Sequence, residues 1–430
     1  MRIHLPLVLG SLALFATPAL AANVADKPMG WASQNGGTTG GAGGTEVTVT
    51  TMADLQKYAK MSGKYVIWVK GTMGSYGQRG EGNADQVNFA SDKSVLGLPG
   101  AHIKGNLYLS GVKNVVLRNL IVEGPGACDN DCGSAGESRK DAISIINSST
   151  NIWLDHMDIY DGEDGNTDVT KGSDFVTVSW TKFHYTDKSF ASGTSGKSHR
   201  FSNLLGGSDS EASDGKLSVT FFKTWWGEGV AERMPRVRFG KVHIANCLFN
   251  SKDPGQNHSV RAGFKANILV ENSAFIGQKK PIDLYDNDFT AVTVKNSTFT
   301  GCSGNTVGSG TAFTPPYALP LTAAGSLESE ISNASTGAGA NIVWGNSGIN
   351  AQMAPPSPLT IQAAKGGLDL INHTIGPVDA SLWSLSGERL VADTRLEPGA
   401  SIHLASTSAS VLLRTSAEGK TSTAMLPAIR

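Results

Sequence analysis

Long apolar runs are scarce in this chain of 430 residues, and beyond the N-terminal segment no stretch is long and apolar enough to cross a bilayer. Charge is scarce too: 36 Lys and Arg against 37 Asp and Glu make up 17% of the residues and leave a formal net charge of −1. Without a basic domain there is no general attraction to nucleic acid, so any positive charge that binds an anion must be gathered locally. Cysteine is limited to four residues, none with a histidine beside it at ligand spacing, which disfavours a zinc site. What the chain has instead is glycine, 51 residues of it, together with frequent Ser, Thr and Asn. That mixture suits many short strands joined by turns.

The N-terminus carries an export signature. Met1-Arg2 gives a short basic start, Leu5 to Phe15 an apolar run too short to span, and Ala19-Leu20-Ala21 a small-x-small cleavage site. Residues 1–21 are therefore read as a signal peptide, and the mature protein as secreted and not held in a membrane. Four cysteines fit an oxidising compartment. Cys128 and Cys132 bracket a short loop and suit each other, which leaves Cys247 and Cys302 as an expected second bridge.

Internal repetition is the strongest signal. Seven segments share one alternating pattern: Val115–Leu120, Ile152–Met157, Val176–Thr181, Val219–Thr224, Val242–Cys247, Ile268–Ser273 and Val292–Ser297. Alternate apolar positions are the period of a strand with one buried face. Asn119, Asn246, Asn272 and Asn296 occupy the same place in their repeats, where the chain must turn and where Asn tolerates left-handed backbone angles. Most spacings lie in the low-to-mid twenties, and that from Val176 to Val219 is about two periods. One strand per coil, stacked in register, predicts an all-β, right-handed parallel β-helix. A β-sandwich would give short strands but no Asn at a fixed point in successive units.

Outside the repeat, Met52 to Met61 has helical apolar spacing and suits a cap on the open end of the stack. The β-helix domain is expected over 22–346. Residues 347–377, which include Met353-Ala354-Pro355-Pro356-Ser357-Pro358, read as a linker, and 378–430 as a small β-rich C-terminal domain for sorting, attachment or spacing.

Two clusters carry chemistry. Asp161 and Glu163 lead into Asp164-Gly165-Asn166-Thr167-Asp168, and Asp141 precedes another strand. Hard oxygen donors drawn from neighbouring coils suit Ca2+, although a solvated acidic turn would look the same. Arg233, Arg236 and Arg238 fall within six residues, an anion-binding patch in a nearly neutral chain. Lys188 taken alone would be an ordinary surface lysine.

These motifs, in this order, resemble polysaccharide lyase family 1, the pectate and pectin lyases. The likeness runs from Ser94-Val95-Leu96-Gly97 through Asn114–Leu120, Ile152-Trp153-Leu154-Asp155-His156, Asp164–Asp168 and Arg233-Met234-Pro235-Arg236-Val237-Arg238, and covers roughly residues 30 to 345. The resemblance implies calcium ligands at Asp141, Asp164 and Asp168, a catalytic arginine at Arg233, and substrate contacts at Lys188, Arg236, Arg238 and Arg261. It implies a structural role for Asp155 and His156. Some relatives carry an acidic residue where this chain has Arg139, and the family's lysine after the last calcium aspartate is displaced here, since Thr170 precedes Lys171.

The reaction so implied is β-elimination on polygalacturonate, the expected partner, by a chain acting as a monomer. Loss of the C5 proton beside an ionised carboxylate needs that charge neutralised, which suits Ca2+ and arginine together. Three alternatives stand beside it. A pectin lyase acting on methyl esters needs no bridging cation, and a glycoside hydrolase needs two carboxyl groups flanking the bond. A non-catalytic carbohydrate-binding solenoid shares the fold alone.

Overall fold

The structure is a computed structural model. It describes residues 27–75, 85–126, 141–187, 199–285, 288–344, 359–364, 367–372, 377–384, 389–398, 400–405, 411–417 and 420–426. The segment expected to be a signal peptide lies outside them, as do Cys128, Cys132, Arg139 and Lys188.

Three long parallel sheets wind along one axis, with ten, eight and nine strands. Each coil visits the second sheet, then the first, then the third, as in Ile143–Ile146, Thr150–Asp155 and Asp158–Tyr160. Every strand pairs with its equivalents one coil before and one coil after, which is a parallel β-helix. All seven repeat segments map onto the ten-stranded first sheet. The expected single strand per coil is in fact three. The other two sheets escaped the pattern because their strands are mostly two to four residues long, too short to show a period.

The turn after each of the seven repeat strands is left-handed, and Asn119, Asn246, Asn272 and Asn296 all sit there with φ between 49° and 57°. His156, Trp180 and Lys223 hold the same conformation without the Asn side chain. Asn fits because its amide bridges rungs and straps: Asn246 Nδ2 donates to the Asn272 carbonyl at 2.8 Å and to that of Thr322 at 2.7 Å. The apparent double period between Val176 and Val219 is no missing coil. The two residues are direct register partners, and the extra length falls on either side of the short second-sheet strand Leu204–Leu205.

Inside the coils the buried side chains form one continuous apolar core. On the third sheet Phe183, Trp226, Phe249, Phe275 and Phe299 stack one above another, with Phe249 and Phe275 centroids 4.1 Å apart. The predicted helix spans Met52–Lys60, capped by Thr51 and seated through Leu55 and Ala59. Beyond the helix, residues 30–40 and 313–344 cross the outer face of the first sheet. Trp31 N–H donates to Thr220 at 3.0 Å, and Tyr317 shares a 2.6 Å hydrogen bond with the same hydroxyl.

Under this cover lies a buried ion pair, Arg118 to Asp155 at 2.8 Å, joined by His156 and Ser179. Burial opposes ionisation of Asp155, but His156 and Arg118 outweigh it and hold the carboxyl down at about 2. Its contribution to stability is therefore complete above the ordinary carboxylate range and is lost as pH falls through about 2. Asp155→Asn strands the Arg118 charge and should cost about 3–5 kcal/mol, read as a lower denaturation midpoint at pH 7.

The expected Cys247–Cys302 bridge does not form, and both are free thiols. Cys247 follows the Asn246 turn and contacts the Phe221 carbonyl, whereas Cys302 lies past the far end of Thr298–Thr300 and contacts that of Phe275. They sit at opposite ends of third-sheet strands and two rungs apart, at least about 10 Å by rung spacing, beyond the reach of a disulfide. Burial pushes the Cys247 thiol up to about 12, which keeps it protonated.

C-terminal to the helix, antiparallel strands form sheets of three and four with a small apolar core of their own around Leu370, Val378, Leu382 and Leu413. Two of these strands, Leu359–Ala364 and Gly367–Asn372, lie within the stretch read as linker; they pair with each other, and the second also pairs with Ser401–Ala405.

Candidate active site

Strand alternation decides which side chains of the second sheet face outward. Ile143, Ile145, Val169, Leu205, Val237, Val260, Ala262 and Ile282 point into the core, so their neighbours point away from it. Register then aligns those neighbours in one row along the helix axis: Ser144, Asp168, Leu204, Arg236, Arg261 and Asp283. Rungs are about 4.8 Å apart. Along the row Asp168 gives way to Arg236 and Arg261, with Asp283 last, and the loops entering the second sheet add Asp141, Asp164 and Arg233 beside it.

Two of the three expected calcium ligands converge. A methyl group placed on Gly165 would meet Asp168 Oδ1 at 3.1 Å and Asp141 Oδ1 at 3.2 Å. Only a residue without a Cβ lets both carboxylates approach this turn. Asp141 Oδ2 accepts from Ser144 at 2.9 Å, but its Oδ1 is buried with no hydrogen-bond partner among the described residues. Asp168 accepts from the Leu204 N–H at 2.9 Å. Burial raises the Asp168 carboxyl to about 7 even though Arg233 opposes it. Asp141 is pushed well above the carboxylate range, first by burial and then by Asp168 and Asp164. Such a pair costs free energy unless a cation or protons compensate it.

Asp164 behaves differently. Its Oδ1 lies 2.9 Å from His199 Nε2, and its side chain is 40% exposed. Among the described residues no three acidic, histidine or cysteine side chains are grouped closely enough to hold a metal ion. The acidic half thus consists of two preset carboxylates and a third held by a histidine. A hard cation fits the donor set, because an orphaned buried carboxylate oxygen aimed at a second carboxylate is the arrangement a calcium ion relieves.

In the basic half, Arg233 takes a left-handed φ of 61°, an uncommon conformation for a bulky residue, kept only where the surroundings impose it. Its carbonyl accepts from Asn203 at 2.7 Å, and the next residue, Met234, is fully buried and donates to the Ser259 carbonyl. The guanidinium lies over the Phe201 ring at 4.1 Å. Arg236 and Arg261 both face Tyr285, at 5.6 and 4.5 Å, and Arg261 also pairs with Asp283 at 2.6 Å. Arg238 is held by Asp209 at 2.6 Å and by the Gly206 carbonyl. Burial, then the neighbouring arginines Arg238, Arg233 and Arg261, lower the pKa of Arg236. Behind them His258 is buried, and burial followed by the repulsion of Arg261, Arg236 and Arg233 drives it down to about 2. It therefore stays neutral, and the positive field belongs to the arginines.

Asp141, Asp164, Asp168, Arg233, Arg236, Arg238 and Arg261 thus gather along one side of the helix. Sequence reasoning missed His199, Phe201, Asp209, Tyr285 and Asp283. Each acts through a neighbour one or more coils away, and none sits in a local pattern. Only the repeat register, extended to the second sheet, could have placed Tyr285 and Asp283 near Arg261.

Comparison with known proteins agrees with this geometry. A family described as pectate lyase matches residues 1–350. Pectate lyase plyB of Emericella nidulans is 36% identical over 314 residues, covering 70% of this chain and 84% of its own. A pectate lyase E of Dickeya chrysanthemi is 34% identical over 338 residues, with 70% and 84% covered. Among solved structures, a pectate lyase bound to a hexasaccharide superposes with a TM-score of 0.58 at 21% identity, covering 73% of this chain and 97% of that one. The pectate lyase of Acidovorax avenae subsp. citrulli gives 0.58 at 19% identity, with 78% and 100% covered. A buried acidic pair and an arginine row on one side of a parallel β-helix, with relatives of this closeness, mean that the chain belongs to the pectate lyase family.

Proposed function

We propose that the protein is a secreted, calcium-dependent pectate lyase that cleaves α-1,4-linked polygalacturonate by β-elimination and releases unsaturated oligogalacturonates. The observation that carries this reading is the buried Asp141 Oδ1, without a hydrogen-bond partner among the described residues, facing Asp168 around Gly165, next to Arg233 and beside the Arg236–Arg261 row. A linear polyanion lying along the axis meets the acidic groups around Asp168 and then the arginines Arg236 and Arg261, whose neighbour Asp283 is paired with Arg261. The acidic end would repel the polymer unless a divalent ion sat between them, and the basic end pairs with its carboxylates directly.

Asp141 and Asp168 would hold the calcium ion, with Asp164 joining by turning from His199. When bound, calcium supplies positive charge that neutralises the uronate carboxylate and lowers the cost of charge developing at C5. The chain's own part is as follows. Arg236, Arg238 and Arg261 bind and orient carboxylates along the cleft. Arg233, fixed in place by its backbone and by Phe201, presents N–H groups where the C5 proton departs and negative charge accumulates, and it serves as the catalytic residue. Elimination transfers the C5 hydrogen as a proton to a solvent water beside Arg233 and breaks the C4–O bond. The electron pair left on carbon becomes the C4–C5 double bond, and the leaving oxygen takes up a proton.

Relatives that carry the name pectate lyase support this chemistry over hydrolysis. Retention of carboxylates at 141 and 168 supports an acidic substrate over a methyl ester. Purified protein incubated with polygalacturonate and calcium should generate ultraviolet absorbance from unsaturated product. A chelator should abolish it, and renewed calcium restore it. Saturated products would point to a hydrolase, and chelator-insensitive turnover of methylated pectin to a pectin lyase.

A further inference from the structure

We propose that Phe201 is a positioning residue for Arg233, and that its own anchorage in the acidic loop gives the two halves of the site a common support. The inference rests on the reading of Arg233 as the catalytic residue.

The guanidinium carbon of Arg233 stands 4.1 Å from the Phe201 ring centroid. A ring face beneath a guanidinium fixes its plane but takes none of its N–H groups, which stay directed along the edge toward a substrate oxygen. A carboxylate in the same place would fix the group equally well but would consume those donors.

Phe201 is itself held firmly. It forms a parallel bridge with Glu232, the residue before Arg233. The next two amides, of Ser202 and Asn203, donate to the carbonyls of Glu232 and Arg233 at 3.0 and 2.7 Å. The Phe201 carbonyl accepts from the Tyr185 hydroxyl at 2.7 Å and from the Asn166 amide at 3.2 Å. Asn166 lies between Asp164 and Asp168, and the same Tyr185 hydroxyl donates to the Gly162 carbonyl at 3.2 Å. Tyr185 is buried, which pushes its phenol well above the usual range and keeps it a donor. The His199 ring also packs against Phe201, with centroids 4.4 Å apart, while pairing with Asp164. The acidic loop and the arginine therefore contact the same residue, one through its backbone and the other through its ring.

A small misplacement of a reacting group costs orders of magnitude in rate, so removal of the ring should act on turnover and not on binding. In Phe201→Leu, kcat on polygalacturonate should fall about tenfold or more. KM and the calcium dissociation constant, the latter measured by calorimetry without substrate, should stay within twofold. Phe201→Tyr keeps the ring face and should recover most of kcat. Phe201→Met, which keeps volume without a ring, gives the same comparison if the leucine variant does not fold. Wild-type kcat in Phe201→Leu, beside an inactive Arg233→Lys, would overturn the positioning role and leave the reading of Arg233 intact. Equal losses in kcat, calcium affinity and melting temperature, without recovery by Tyr, would also overturn it, since they describe a packing residue. Full activity in Arg233→Lys would remove the catalytic reading on which the inference stands.

Discussion

Arg233→Lys should lower kcat on polygalacturonate by about 100-fold or more, the loss typical of removing a preset donor from a developing anion, with KM changed only a few-fold. The substitution conserves charge, so a residue that merely attracts the polymer would tolerate it. Geometry explains why this one does not. The backbone at 233 is left-handed and its carbonyl is tied to Asn203, so the side chain leaves from a fixed origin in a fixed direction. A planar guanidinium laid on Phe201 offers a fork of N–H donors in one plane, whereas an ammonium on a flexible stem offers one point of charge without defined orientation. The comparison that isolates the effect is Arg261→Lys. Arg261 lies along the row and pairs with Asp283, so its variant should raise KM and largely spare kcat. Similar kcat values in the two variants would dissolve the distinction between catalytic and binding arginines.

The second large effect concerns calcium and pH together. In the metal-free protein, burial raises Asp168 to about 7, and burial followed by the repulsion of Asp168 and Asp164 pushes Asp141 well above the carboxylate range. In the unfolded chain both would titrate near 3.9. A carboxyl whose folded pKa is raised stabilises the fold below the unfolded value and loses that contribution as pH rises through the folded one. Metal-free protein should therefore become less stable between about pH 4 and pH 7. Calcium takes the place of those protons, so saturating calcium should raise the melting temperature much more at pH 8 than at pH 5. Binding should release protons to the buffer in calorimetry near pH 6. Asp168→Asn gives the sharper test. It should be more stable than the metal-free wild type at pH 8, because a repelling buried charge is gone, yet show almost no gain on adding calcium and little lyase activity. Equal thermal gains at both pH values, or a full gain in Asp168→Asn, would place the ion elsewhere.

How much of this was legible in advance follows from strand length. First-sheet strands run four to six residues and end on a left-handed turn, so alternation and the recurrent Asn expose them. The second sheet, which carries the site, contributes strands as short as Leu204–Leu205 and Arg236–Val237. Two residues have no measurable period, and the site's floor was therefore invisible as structure even while its arginines stood out as composition. The same limit hid the cause of the long spacing from Val176 to Val219, since an excursion and a missing coil lengthen a spacing alike. The cysteine pairing failed for a different reason: in a solenoid, nearness depends on position around the coil as well as on the number of coils, and Cys247 and Cys302 differ in both. The acidic loop and the arginine run could be read from residue type alone. Phe201 and His199 could not, because their roles come from stacking across rungs.

The in-register row on the second sheet has one more implication. Because loops leave and re-enter the stack without shifting the pairing, as at Val176 and Val219, the walls of the groove can lengthen or shrink while its floor keeps a constant pitch of about 4.8 Å. Exchanging a floor residue for its neighbour in the column therefore moves a charge by one fixed step along the bound polymer. Where the chain is cut, relative to where it is gripped, becomes a setting adjustable in whole increments.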